Sequence, residues 1–146
     1  RSTSGYLFMY NGSTISWKST LQATVALSTA EAEYMALCAA AQEAVFLRML
    51  LRDIKIPQHR PTTIYEDNQS CIHISKNKIS NRRTKHIDIS YNFTREKIES
   101  GDISVEYCCT SNMLADMLTK PLTRYQHAKL SKLTLGGILS SEGVEK

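Results

Sequence analysis

The chain has 146 residues, 42% hydrophobic and 22% charged, with a formal net charge of +4. That is enough for one globular domain with a real core, and the charge permits a polyanionic partner without requiring one. No signal peptide opens the chain and no apolar run reads as long enough to span a membrane, so a membrane partner is not expected. The first residue is Arg1, not Met, so the sequence reads as a piece of something longer. Cys38, Cys71, Cys108 and Cys109 form no CxxC pair, which argues against a zinc site or a disulfide framework and makes a reducing interior the default.

In chain order, Tyr6–Tyr10 and Ser13–Lys18 flank Asn11-Gly12, the strongest short hairpin signal because both residues accept positive φ. Thr24–Leu27 reads as a short extended piece. A long helix follows over Thr29–Asp53, and Pro57 and Pro61 mark the loop after it. Thr62–Glu66 reads as a strand, Asn68–Asn77 as a helix and Ile79–Lys85 as a polar, basic connection. Ile87–Ser100 reads as a helix stopped by Gly101 at its C′ position. Ile103, Val105, Tyr107 and Cys109 alternate as one face of a strand. Asn112–Thr119 reads as a helix ending before Pro121, and Arg124–Leu133 as a last helix. The order predicts an α/β protein with a mixed sheet, a domain over 1–135 and a flexible tail over 136–146.

Acidic residues near helix starts carry the candidate chemistry. In "STAEAEYMAL", Ser28 and Glu31 fit a capping box, which gives Glu31 a structural task. Glu33 instead shares a face with Leu37, Ala40, Ala44, Leu47 and Leu51, the face that packs on the sheet. A carboxylate there is costly unless it is paired, bound to a cation or close enough to the rim to reach water. "TIYEDNQS" places Asp67 where a strand gives way to a helix, the edge at which open α/β sheets bind ligands; a plain helix cap is the bland alternative. "NMLADMLTKPL" places Asp116 among apolar residues after the last strand, with a solvated helix position as its alternative. No one acid is decisive, but three at such positions suggest a converging cation site.

Six motifs, "RSTSGYLF", "ISWKS", "STAEAEYMAL", "YEDNQS", "RTKHIDISYNF" and "LADMLTKPL", together resemble the ribonuclease H domain that ends the polyprotein of copia-type LTR retrotransposons, over Arg1 to about Gly137. The resemblance implies a ribonuclease H-like mixed sheet flanked by helices. It also implies hydrolysis of the RNA strand of an RNA–DNA hybrid during reverse transcription. Glu33, Asp67 and Asp116 match the family's catalytic acids, which hold two Mg²⁺ ions, or Mn²⁺ in their place. Such ions, about 3.5–4 Å apart, activate water and stabilise the leaving oxygen. The implied partners are the hybrid and the upstream reverse transcriptase domain of the same polyprotein; the implied setting is a cytoplasmic virus-like particle or the nucleus. This sequence departs from the family in two places. The loop "YCCTSNMLAD" lacks the histidine that many ribonucleases H carry there. The first, central strand, which bears another catalytic aspartate, would precede the "RSTSGY" motif, so the chain alone is expected to be inactive.

Lys76, Lys78, Arg82, Arg83, Lys85 and His86 crowd one segment. Alone this reads as a solvated loop; with the resemblance it reads as a phosphate track for the hybrid. His86 and Asp88 read as a local hydrogen-bonded pair, and Trp17 and Tyr10 as hairpin packing ahead of base stacking. The alternatives to a nuclease are a catalytically dead ribonuclease H-like nucleic-acid-binding relic and a structural polyprotein segment. The three retained acids argue against the last.

Overall fold

The computed structural model describes residues 1–77 and 85–135, the side chains of 85–88 excepted. It forms two compact units: Arg1–Val25 together with the chain from Cys109 on, and Ala26–Cys108.

In the first unit, β1 (Thr3–Tyr10) and β2 (Ser13–Leu21) pair antiparallel across Asn11 and Gly12, at φ 53° and 79°. The Asn-Gly turn matches the twist of the strands, as the sequence predicts, and both strands outrun the predicted ends. A register shift at Phe8/Met9 leaves Ile15 as an extra residue on β2. Trp17 does not bury itself in the hairpin but stays 63% exposed. Thr24–Leu27 is bent, not extended. The expected Asn112–Thr119 helix is instead a pair of 3-10 turns, Thr110–Asn112 and Leu114–Leu118. Thr119 Oγ1 folds back onto the Asp116 carbonyl, and Pro121 lies just beyond, so the helix cannot lengthen. Gly5 is needed where β1 meets this segment: a Cβ there would lie 2.6 Å from Thr119 Cγ2 and 3.1 Å from Leu118 Cβ. Ser19 Oγ donates to the Leu118 carbonyl at 2.7 Å, and Thr14 Oγ1 to that of Thr134 at 3.0 Å. The last helix, α4 in chain order (Arg124–Thr134), starts with a capping box between Thr123 and Gln126.

In the second unit, α1 (Thr29–Asp53) packs against β3 (Thr62–Glu66), α2 (Gln69–Lys76), α3 (Lys85–Glu99) and β4 (Ile103–Tyr107). β3 and β4 pair in parallel from Thr62↔Ile103 to Glu66↔Tyr107. The chain between them supplies the crossover that parallel strands require, and α2 and α3 lie on it. The buried face of α1 is Tyr34, Leu37, Cys38, Ala40, Ala41 and Ala44; the alanines let helix and strands approach closely. By length and composition α1 is apolar enough to cross a membrane, contrary to the sequence expectation; its buried residues supply this core, while Phe46, Met49 and Leu50 are exposed. Arg48 ties the helix to its surroundings, donating to the carbonyls of Arg60 and Gln58 and to Thr62 Oγ1. α3 ends before Gly101 at φ 77°, the predicted stop.

The architecture is α/β, and the described strands form two two-stranded sheets, one antiparallel and one parallel; the expectation from the sequence is a mixed sheet whose central strand is missing from this chain. Each strand takes its partner within its own unit, and no described strand joins the pairs.

Candidate acidic site

The parallel pair ends at Glu66 and Tyr107, and the chain turns there into α2. Cys108 N–H donates to the Glu66 carbonyl at 2.9 Å, which carries the pairing one step past β4. The cap of α2 is Asn68, whose Oδ1 accepts from Cys71 N–H at 3.0 Å. Asp67 is thereby relieved of the capping role that was its bland reading. It sits half-buried immediately beyond the carboxyl end of a parallel strand.

The acid directly before it was not singled out from the sequence. Glu66 is 7% exposed and faces inward, as the strand period predicts from buried Ile64 two residues earlier. Its Oε1 accepts from Asn68 N–H at 3.0 Å. Burial above all, and then the negative charges of Glu33 and Asp67, push the Glu66 carboxyl up to about 7; the hydrogen bonds from Asn68 and Cys71 pull the other way. Glu33, from the second turn of α1, therefore lies within electrostatic reach of the strand-end acids. Cys71 is fully buried behind them, and its thiol is held well above the usual range by burial and by Glu66. Cys38, buried beside Thr94, is pushed up to about 11 by burial. Tyr34, also buried, stacks edge-on against Tyr91 with centroids 4.1 Å apart, and its Oη has no hydrogen-bond partner among the described residues.

The two glutamates of "STAEAEYMAL" take different tasks. Ser28 Oγ accepts from Glu31 N–H at 3.1 Å, and Glu31 Oε2 accepts from Leu27 N–H at 2.6 Å. The box is thus one residue wider than predicted, with Glu31 reaching past the cap to the residue before it. Glu33 has no part in the cap.

Asp116 belongs to the first unit. It is 9% exposed on the second 3-10 turn, and Lys120 Nζ lies 2.9 Å from its Oδ1. It is therefore buried and ion-paired, not a solvated helix residue. Of the basic stretch, Lys76 ends α2 and is exposed. Lys78, Arg82 and Arg83 lie outside the described residues. Lys85 and His86 open α3, but they and Asp88 fall among the side chains not described.

The donors at the strand end are hard carboxylate oxygens, the kind that suits Mg²⁺. Among the described residues, no three His, Cys, Asp or Glu side chains are grouped closely enough to hold a metal on their own. Mg²⁺ does not need such a nest, because it commonly takes one or two carboxylates with waters and substrate phosphates. A cation would also relieve the repulsion among Glu33, Glu66 and Asp67, so the residues present fit it as part of a site.

No family model matches the chain, and no solved structure matches it. Three curated relatives are similar over most of its length. They are the retrovirus-related Pol polyproteins of transposon TNT 1-94 from Nicotiana tabacum (42% identity over 85% of this chain) and of transposons RE1 (38% over 84%) and RE2 (35% over 90%) from Arabidopsis thaliana. The chain spans only 9%, 8% and 9% of those polyproteins, respectively. Its homologues are thus retrovirus-related Pol polyproteins of plant transposons, and it corresponds to one short region of them.

Proposed function

We propose that the chain is the ribonuclease H region of a retrotransposon Pol polyprotein and acts on the RNA strand of an RNA–DNA hybrid. The observation that carries this reading is that Glu33 lies within electrostatic reach of Glu66, next to Asp67, at the carboxyl end of a parallel strand pair, in a sequence homologous to Pol polyproteins. Glu33 and Asp67 would hold a divalent cation, and Asp116, a residue of the other unit, is proposed as a cation ligand on the motif resemblance alone. When bound, such cations would activate water and stabilise the leaving oxygen of the phosphodiester. Glu66 acts as a positioning residue: it accepts the Asn68 N–H and so fixes the turn that presents Asp67. Asn68 caps α2 and holds the other side of the same turn. Lys120 Nζ pairs with the buried Asp116 carboxylate at 2.9 Å and so orients it.

The test is cleavage of labelled RNA annealed to DNA, with Mg²⁺, by the chain alone and joined to the Pol sequence upstream of it. The expected result, in the joined form, is loss of the RNA strand only, abolished by a chelator and by Asp67→Asn. A second reading, a nucleic-acid-binding relic without chemistry, draws on the lack of a three-ligand group among the described residues. Hybrid binding with no cleavage in either form would replace the first reading with the second.

A further inference from the structure

The outer face of α4 stands apart in its charge. Leu130 and Thr134 are the buried residues of this helix. At 100° per residue, the face opposite them carries Arg124, Tyr125, Ala128, Lys129 and Lys132. All but the last fall in a continuous exposed run, and Tyr125 is 80% exposed. The whole helix, "RYQHAKLSKLT", contains no acid. A face kept merely for solubility commonly alternates charge, with Glu three or four residues from Lys. α3 does so, with Arg95, Glu96, Lys97 and Glu99 together. The helix dipole accounts for Lys132 in the last turn but not for Arg124 in the first, where a cation is disfavoured. Neither Arg124 nor Lys132 pairs with a carboxylate among the described residues, whereas Lys129 donates to the Ser111 carbonyl and to Asn112 Oδ1. Ala128, between the cations, leaves room for close approach.

We infer that this face of α4 is a sequence-independent contact for a polynucleotide backbone, with Arg124, Lys129 and Lys132 meeting phosphates and Tyr125 lying against the sugar–phosphate chain. Charge complementarity selects the occupant: three cations over three helical turns, with no acid in the helix itself, suit a repeating polyanion. The contact uses residues of the first unit, other than those of the Lys76–His86 segment. It deepens the proposed function, resting on a chain that works on nucleic acid, and adds a second place at which it is held.

The test is a salt titration of the full chain binding a fluorescent RNA–DNA hybrid. Arg124→Gln with Lys132→Gln spares the Lys129 hydrogen bonds and should lower the log–log slope by about 1.4–1.8, with roughly tenfold weaker binding at moderate salt. Arg124→Lys with Lys132→Arg should keep the wild-type slope. Tyr125→Ala should weaken binding without changing the slope. Circular dichroism must show unchanged helix content in each variant; if the double Gln variant unfolds, Lys132→Gln alone should lower the slope by about 0.7–0.9. An unchanged slope in a folded variant would overturn the contact while leaving hybrid cleavage, and so the proposed function, standing. A wild-type chain that binds no hybrid, or binds polyglutamate of equal charge as tightly, would also overturn it. Loss of cleavage in Asp67→Asn with the α4 slope intact would separate the two readings from the other side.

Discussion

Glu66 and Asp116 are acids of nearly equal burial, 7% and 9% exposed, yet the two units treat them in opposite ways. Asp116 has a lysine 2.9 Å away, four residues along its own segment, so its charge is balanced locally. Glu66 has two further acids in electrostatic reach and, as its nearest relief, hydrogen bonds from Asn68 N–H and Cys71. Burial alone therefore does not say what a carboxylate is for. A paired one has its charge balanced by a neighbour on its own segment; one with further acids in reach is an arrangement that a cation would complete.

The largest expected effect comes from breaking the repelling group. In the chain joined to its upstream Pol sequence, Glu33→Gln should lower hybrid cleavage by about 100-fold or more with little loss of melting temperature, because it removes a charge that the fold does not need and the cation does. Equal cleavage by Glu33→Gln and wild type, measured side by side in single turnover, would take Glu33 out of the site.

The Glu66 carboxyl is raised from its ordinary 4.5 to about 7. The folded state thus favours the protonated form. The stability this provides is complete below about pH 4.5 and is lost as pH rises through 7. Chelated protein should lose about 3 kcal/mol of stability across that window, and Glu66→Gln should flatten the loss. Denaturant melts from pH 4.5 to 8 would show it; a parallel decline in wild type and variant would assign the effect elsewhere.

On the paired side, Lys120→Met leaves a buried carboxylate uncompensated. With Lys120 half-exposed, the cost should be about 1 kcal/mol at pH 7, and Asp116→Asn in the same chain should recover most of it. Additive losses in the double variant would mean that the pair is not coupled. The smallest effect is expected at Glu31. Glu31→Gln keeps an acceptor for Leu27 N–H and should change stability by only a few tenths of a kcal/mol and cleavage hardly at all. A cleavage loss there matching that of Glu33→Gln would erase the distinction between the two glutamates.

What the sequence determined by itself lies within a few residues of chain. Asn11-Gly12 dictates the turn because both residues tolerate positive φ, Ser28 starts α1 because its oxygen meets an orphan N–H, and Gly101 stops α3 because it accepts φ 77°. The separation of Glu31 from Glu33 was legible in the helical period, and strand parity from Ile64 held a signal for Glu66 that single-residue reading passed over. Tertiary structure decided the rest. Which strands pair, that Asn68 and not Asp67 caps α2, that Trp17 remains exposed and that Glu66 lies within electrostatic reach of Glu33 all depend on groups brought together by packing. Hydrogen bonding within a turn is set by adjacent residues, whereas burial and Coulomb energy depend on every charge and surface within several ångströms, and only the folded chain fixes those distances.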